Sequence, residues 1–207
     1  MKLISFLLFG IIVLGSCKHP ENAVMVKFTG ETQGTYYAIT YFDNDARNFQ
    51  SQVDSILKVI DQSVSLWAPG SIISRINRGE ENVVPDEIFM DLFKMSEEVY
   101  KQSGGAFDPT VGPLVNAWGF GFTDRLKVDQ PTIDSLLPLV GFDKVKLENN
   151  KIIKSDPRIQ FDFNAIAQGY AVDLIGKFLE KKGISDLLID IGGEVLSRGA
   201  KPVGEKW

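Results

Sequence analysis

The chain has 207 residues, is 44% hydrophobic and carries a formal net charge of −5, which exclude an intrinsically disordered chain and argue against a nucleic-acid partner. Its only cysteine and only histidine, Cys17 and His19, lie close to the N-terminus, so the folded part has no disulfide, zinc site or Cys/His nucleophile pair. The remaining oxygen donors suit hard cations such as Mg²⁺ and favour phosphate-ester or pyrophosphate chemistry over peptide hydrolysis.

The first residues predict an export signal. Lys2 precedes an apolar run, residues 3–14, that is too short to span a bilayer as an ordinary helix. The run ends at Leu14-Gly15-Ser16-Cys17, which resembles the lipobox where bacterial lipoproteins are cleaved and acylated. We therefore predict a signal peptide at residues 1–16, lipidation of Cys17 and a tether at residues 17–23, with the protein anchored to an envelope membrane and facing the periplasm. The alternative is a signal anchor with a chance cysteine.

Residues 24–207 are expected to form one domain, whose first half predicts two strands and two helices. Residues 24–28 and 35–41 have strand composition and are joined by a loop at residues 29–34. Apolar residues at three- and four-residue spacing predict a helix over residues 49–60. A second helix should begin at Pro85 and end at Gly104-Gly105. Its buried face is expected to comprise Ile88, Leu92, Met95 and Val99.

The second half predicts a short helix at residues 136–140, a hairpin of residues 144–147 and 152–154, and strands at residues 159–163 and 187–191. Between the last two strands, Asn164 should cap a helix that ends near Lys182. The buried residues of that helix are expected to be Ile166, Tyr170, Leu174, Ile175 and Phe178. Only a loop follows at residues 199–206. Because Trp207 ends the chain where a new strand would begin, we expect a C-terminally truncated domain.

Four stretches are candidates to carry chemistry, and each also has a purely structural interpretation. Residues 104–121 offer glycines and aromatic rings that would pack against an aromatic ligand, or form only a well-packed turn. Asp162 precedes a helix whose free N–H groups favour phosphate, or else belongs to the helix cap. The glycine pair in residues 190–194 would cradle an anion, although such a pair alone is weak evidence. Residues 65–77 place Trp67 before what is by itself only a capped turn.

Taken in order, these stretches resemble the signatures of the FAD:protein FMN transferases, the ApbE-type family. The resemblance begins at Gln33-Gly34-Thr35-Tyr36-Tyr37 and spans nearly all of residues 30–207. Its nearly diagnostic part is the run Gly105-Ala106-Phe107-Asp108-Pro109-Thr110-Val111-Gly112-Pro113-Leu114-Val115. The resemblance implies an α+β fold of the T-fold-like kind, with a mixed or antiparallel sheet and packed helices. It also implies an enzyme that uses FAD and Mg²⁺ to move FMN onto a Ser or Thr hydroxyl of an acceptor protein, with release of AMP.

The family's functional positions carry over one by one. The implied FAD contacts are Gln33, Trp67, Ala106, Phe107, Asp108, Asp162 and Gln168, and the implied metal contact is the backbone carbonyl of Ala165. Many members have Met, Tyr, and Lys or Glu at the positions of Gln33, Trp67 and Gln168, and Gln168 removes a charge near the phosphates. The family's other metal ligands and its histidine-containing motif would lie beyond Trp207.

The implied partner is an acceptor flavoprotein subunit of a membrane redox complex. Two alternatives stay open at this point. One is an FAD pyrophosphatase that produces FMN and AMP, and the other is a lipoprotein that binds FAD without turnover. The residues identify no catalytic side chain.

Overall fold

The computed structural model describes residues 23–120 and 128–207. The predicted signal peptide, Cys17, residues 18–22 of the tether, and Gly121 at the end of the glycine-rich stretch lie outside the described residues. Within the described ranges, no helix is both long and apolar enough to cross a membrane.

A four-stranded antiparallel sheet forms the centre of the structure. Its strands are β1 (Val24–Thr32), β2 (Thr35–Asp43), β5 (Leu187–Ile191) and β6 (Glu194–Arg198), in that spatial order. Because side chains alternate along a strand, one face of the sheet is buried, and it carries Phe28, Tyr37, Ile39, Tyr41, Leu187, Ile189 and Ile191. A separate hairpin, β3 (Val145–Glu148) and β4 (Lys151–Lys154), confirms the predicted pairing of residues 144–154.

Six α-helices are described: α1 (Gln50–Val64), α2 (Ile72–Asn77), α3 (Glu87–Gln102), α4 (Gly112–Ala117), α5 (Gln130–Leu136) and α6 (Asn164–Lys181). Short 3-10 turns occur at Leu137–Leu139, Phe142–Lys144 and Pro202–Gly204. Helix α6 packs on β5 and β6 and also contacts α1 and α3, so the helices and the sheet share one core. This arrangement confirms the predicted α+β class.

The predicted loop at residues 29–34 is wrong. The strands β1 and β2 continue to Thr32 and Thr35 and leave a turn of two residues, Gln33-Gly34. Both turn residues have positive φ, 50° and 74°, which is the backbone geometry that matches the twist of a tight hairpin. The turn is therefore much sharper than composition suggested.

The buried face of α3 differs from the prediction. The buried residues are Phe89, Leu92, Phe93 and Ser96, whereas Met95 and Val99 are 40% and 39% exposed. The helix is therefore rotated about its axis relative to the prediction. Aromatic packing explains this rotation, because the Phe89 ring packs edge-on against Phe161 and Phe163, with ring centroids 5.9 Å and 5.3 Å apart.

The predicted buried face of α6 is also only partly right. Ile175 is buried as expected, but Ile166, Tyr170, Leu174 and Phe178 are only partly buried. The face that meets the sheet is built from the small or branched residues Ala167, Ala171, Val172, Ile175, Gly176 and Leu179. A Cβ added at Gly176 would overlap Leu196 of β6, so the helix axis approaches the sheet more closely than larger residues permit.

Two further predictions are corrected by hydrogen bonding. Residues 159–163 form no strand, only an isolated parallel bridge between Val111 and Gln160, because the side chain of Asn77 occupies both backbone groups of Phe161. The predicted helix at residues 136–140 is instead α5 followed by a 3-10 turn. Its start is set by Asp129, whose side chain accepts the N–H of Thr132 at 3.1 Å.

Candidate functional site

Two tight turns meet at one end of the sheet. The Gln33-Gly34 turn joins β1 to β2, and Gly192-Gly193 joins β5 to β6, with the Gly192 N–H donating to the Tyr36 carbonyl at 3.0 Å. A Cβ on Gly192 would lie 2.7 Å from Thr35 Cγ2 and 3.4 Å from Gln168 Nε2. The close approach therefore brings the first turns of α6 against both hairpins.

A cavity of about 220 Å³ opens beside these turns, and we call it the Gln33 cavity. It contains three of the seven predicted FAD contacts, Gln33, Trp67 and Gln168. Its full lining is Gln33, Ile60, Asp61, Val64, Ser65, Trp67, Asn164, Ala167 and Gln168. The structure thus brings together residues that are more than 130 positions apart in the chain.

A second cavity of about 290 Å³, the Asn77 cavity, shares Trp67 with the first. Trp67 is 63% exposed and lies where the two cavities meet. The lining of the Asn77 cavity is Leu66, Trp67, Pro69, Ser74, Asn77, Arg78, Gly112, Asn116, Gln160 and Phe161. Trp67 thus has the exposure expected of a residue that stacks on a ligand ring.

Side-chain amides build the wall of the Asn77 cavity. Asn77 accepts the N–H of Phe161 and donates to its carbonyl, both at 2.8 Å, as a neighbouring strand would. Asn116 donates to Gln160 Oε1 at 2.8 Å. The two bonds of Asn77 take the place of a strand ladder at Phe161, and they fix the backbone that leads directly into Asp162.

Asp162 lies one residue before the N-cap of α6, Phe163, and its side chain binds the start of the helix, which fits the structural interpretation of this residue. Its Oδ1 accepts the N–H of Asn164 at 2.8 Å, and Asn164 is the first residue of the helix rather than its cap. Ile166 and Ala167 donate to the carbonyl of Phe163. Among the described residues only the Ala165 N–H of this first turn has no partner, so the helix start offers a phosphate one free donor instead of several.

Burial raises the pKa of Asp162 above its ordinary value of 3.8, and the hydrogen bonds from Asn164 oppose that rise. The pKa of the Asp162 carboxyl group is higher in the folded than in the unfolded protein, so its protonated form stabilises the fold. This contribution to the free energy of unfolding is complete below the unfolded pKa and is lost as pH rises through the folded pKa. At neutral pH the ionised carboxylate therefore destabilises the ligand-free fold. Asp156 has the opposite shift, since hydrogen bonds from Arg158 lower its pKa to about 2.

We expect Asp162→Asn to raise the melting temperature at pH 7, because it removes the cost of burying a charge, and this gain should vanish as pH falls towards 4. Asp156→Asn serves as the matched control. Its ionised form stabilises the fold above pH 3.8, so the substitution should lower the melting temperature at pH 7 and change little near pH 2. Thermal melts of both variants from pH 2 to 8 test this, and the same sign for the two at pH 7 would contradict it.

Ala106, Phe107 and Asp108 lie outside the linings of both cavities. The Asp108 carboxylate is engaged within the protein, where Oδ1 accepts the Thr110 N–H at 2.8 Å and Oδ2 accepts the Phe142 N–H at 3.0 Å. Pro109 then accepts the N–H of Asp162 at 2.7 Å. In this structure Asp108 therefore holds the turn at residues 108–110, whose Pro109 carbonyl binds the backbone of Asp162.

Sequence reasoning missed Asp61, which lines the Gln33 cavity from the last turns of α1. Burial raises its pKa, and its carboxylate makes no hydrogen bond within the described part of the chain. The available signal was its position next to Ile60, at the border of the apolar stripe that also contains Leu57 and Val64. An acidic residue at the edge of an apolar helix face is expected to be only partly exposed to solvent.

The turn that carries Gln33 combines backbone strain with unpaired polar atoms. Gln33 Oε1, Gln33 Nε2 and Thr32 Oγ1 are all buried and have no hydrogen-bond partner in the described residues. Each such atom costs about 1–3 kcal/mol, and a non-glycine residue at positive φ adds about 1–2 kcal/mol. Strain of this size beside a cavity is a feature of functional sites.

The described residues do not form a complete Mg²⁺ site by themselves. No group of three or more His, Cys, Asp or Glu residues that could hold a metal ion occurs among them. Ala165 is exposed in the first turn of α6, and its carbonyl is the one oxygen ligand that the family resemblance implies in this chain. One carbonyl supplies only a fraction of the six oxygen ligands that Mg²⁺ prefers.

The chain is similar to known flavin transferases over most of its length. The model of the ApbE family matches residues 33–207. An FAD:protein FMN transferase of Haemophilus influenzae is 31% identical over 221 positions, covering 100% of this chain and 64% of that protein. A second, from Vibrio cholerae, is 31% identical and covers 97% and 62%.

Solved structures agree with these matches. A flavin transferase ApbE from Vibrio cholerae superposes with a TM-score of 0.83 at 29% identity, covering 89% of this chain and 62% of that one. The apo form of the Pseudomonas stutzeri flavinyl transferase ApbE gives 0.82 at 29% identity, with coverage of 89% and 62%. These structures confirm the predicted ApbE-type α+β fold. The chain spans less than two thirds of the length of these relatives.

Proposed function

Because the chain belongs to the ApbE family, we propose that the whole protein is an FAD:protein FMN transferase. It would move FMN from FAD to a Ser or Thr hydroxyl of an acceptor flavoprotein and release AMP. The observation that carries the proposal is the pair of adjacent cavities that share the exposed ring of Trp67, since a dinucleotide has two ring systems joined by a pyrophosphate.

The residues of this chain would mainly bind and orient the substrate. Trp67 offers a stacking face, and Arg78 is the one cation among the described residues that line the two cavities. The free N–H of Ala165 is a further donor for a phosphate oxygen. In the reaction, the acceptor hydroxyl oxygen bonds to the FMN-side phosphorus and the bond from that phosphorus to the AMP oxygen breaks. AMP leaves with the bond electrons, and the hydroxyl proton passes to a base or to water.

We also propose that the reaction depends on Mg²⁺, which in phosphoryl transfer neutralises the charge that develops on the phosphate oxygens. In this chain the Ala165 carbonyl is the candidate ligand, and Asp162 lies at the same helix start. The other ligands would come from a part of the protein outside the described residues. Omitting Mg²⁺, or adding a chelator, should abolish transfer in the assay described next.

The direct test incubates the full-length protein with FAD, Mg²⁺ and an acceptor flavoprotein subunit. We expect a mass increase of the acceptor that corresponds to one FMN, together with an equal amount of AMP. AMP and free FMN without an adduct would instead support the pyrophosphatase alternative. Tight FAD binding without AMP would support the non-catalytic binder, and either result would overturn the transferase proposal.

The proposal extends to the location of the protein. A lipid on Cys17 would hold the catalytic domain at an envelope membrane on its periplasmic side, beside an acceptor subunit of a membrane redox complex. The lipobox-like segment Leu14-Gly15-Ser16-Cys17 supports this placement. Membrane fractionation of a Cys17→Ser variant tests it, because a variant that remains wholly in the membrane fraction would contradict lipid anchoring at this cysteine.

A further inference from the structure

The end of the sheet where the chain enters the described residues carries an apolar patch on its outer face. Met25 of β1 is paired with Phe42 of β2, and both side chains lie on the face opposite the buried one. The Phe42 ring packs against the Trp207 ring, with centroids 5.7 Å apart. Met25 is 60% exposed, and Phe42 and Trp207 are partly exposed. We call these three side chains the Met25 patch.

The two ends of the sheet differ in charge. In the half beside the two tight turns, the strands carry three carboxylates and no Lys or Arg, and these carboxylates belong to Glu31, Asp190 and Glu194. In the half beside the Met25 patch, the strands carry Lys27 and Arg198. The one strand carboxylate there, Asp43, accepts hydrogen bonds of 2.7 Å and 2.8 Å from the Arg47 guanidinium. An anionic surface would therefore repel the end with the turns more than the end with the patch.

The predicted tether would place the end with the patch close to a membrane. Residues 18–22 join Cys17 to Ala23, which directly precedes β1. A connection of this length spans at most about 20 Å, whatever conformation it adopts. A lipid on Cys17 would therefore hold the start of β1, and with it Met25, near the lipid headgroups.

We propose that the Met25 patch rests in the headgroup region of an anionic membrane and that the candidate site faces away from it, an inference that rests on the proposed anchoring at Cys17. Tryptophan favours the interface between water and lipid, and the ammonium group of Lys27 on the same face would attract anionic headgroups. Because a strand rises about 3.3 Å per residue, the Gln33-Gly34 turn lies about 25–30 Å from the patch along β1. An acceptor subunit would have to present its hydroxyl at this height above the membrane.

The first test measures the orientation of the full-length, lipidated protein on vesicles of phosphatidylcholine and phosphatidylglycerol that contain a nitroxide-headgroup lipid. A fluorophore is attached at Met25→Cys or, as the matched control, at Glu31→Cys. Both positions lie on the outer face of β1, about 20 Å apart. Cys17 is the one cysteine of residues 1–207, and its lipid would block labelling there. We expect the nitroxide to quench the probe at residue 25 severalfold more than the probe at residue 31.

Equal quenching of the two probes would mean that the sheet lies flat on the membrane, and it would overturn the inference. A probe at residue 25 that is shielded from both lipid and water would also overturn it, because another part of the protein would then cover the patch. A protein that is absent from the vesicles would overturn the anchoring at Cys17 as well.

The second test measures vesicle binding of the protein that lacks residues 1–16 and carries Cys17→Ser, so that no lipid contributes. Met25→Glu should weaken binding about tenfold, because it replaces an apolar contact with a charge. Val195→Glu is the matched control, since Val195 is 59% exposed on the same face but lies in the half beside the turns. Equal binding of these two variants would overturn the inference. FMN transfer to a soluble acceptor subunit should be unchanged in Met25→Glu, so the proposed function is tested separately.

Discussion

Gly112→Ala should destabilise the protein by about 2–3 kcal/mol and abolish FAD binding, because the added methyl group has no room beside the cavity wall. Gly112 begins α4 and lines the Asn77 cavity. A Cβ there would lie 2.7 Å from the carbonyl oxygen and 2.9 Å from the Cβ of Gln160. Since the obstacle includes backbone, no side-chain rotation can relieve the contact, and α4 must move away from the segment that leads to Asp162.

Gly70→Ala is the matched control for this substitution. Gly70 lies in the turn between α1 and α2, its φ is not positive, and a Cβ there would meet nothing within 4 Å. Its stability should change by less than about 0.5 kcal/mol, with FAD affinity retained. Denaturant titration and calorimetric FAD binding compare the two variants. A Gly112→Ala protein that melts and binds FAD like Gly70→Ala would show that the two segments are not held in this close contact.

Local patterns in the sequence predicted the parts of the fold that depend on neighbours in the chain. A segment rich in β-branched and aromatic residues located β2, and a short apolar run located β5. Asn149-Asn150 marked the tight turn of the β3–β4 hairpin, where both residues have positive φ. The prediction for residues 159–163 failed because its basis was also local. Their strand-like composition is real, but a side chain from α2, 84 residues earlier, occupies the groups that a neighbouring strand would use.

In the candidate site, too, some residues were predicted from the sequence, whereas others became apparent only in the structure. The family resemblance identified Gln33, Trp67 and Gln168 as candidate FAD contacts, and the structure places all three in one cavity. Neither composition nor spacing pointed to Asp61, because a helical pattern treats it as one more polar residue beside an apolar stripe. The unpaired state of the Gln33 amide was equally hidden, since it depends on what surrounds the turn in three dimensions.

Lys154 is a second long-range contact that the sequence did not reveal. Its ammonium group donates to the carbonyls of Ile76, Pro157 and Ile159 at 3.0, 2.9 and 2.9 Å, and lies 3.4 Å from that of Asn77. Burial lowers the pKa of Lys154, so no carboxylate fully offsets its desolvation. The ammonium group ties the end of α2 to the segment that precedes Gln160. Asn77, at the end of α2, and Gln160 both line the Asn77 cavity.

Lys154→Met should therefore destabilise the protein by about 2–4 kcal/mol, because several partly buried carbonyls lose a charged donor and gain none. FAD binding should weaken as well, since the wall formed by Asn77 and Phe161 loses its support. Lys151→Met makes the same change in the same strand. Lys151 is exposed, and its ammonium group donates one hydrogen bond, to the Asn82 side chain, among the described residues, so the effect should be small. Equal losses of stability in the two variants, measured by denaturant titration, would mean that the four carbonyls do not depend on this ammonium group.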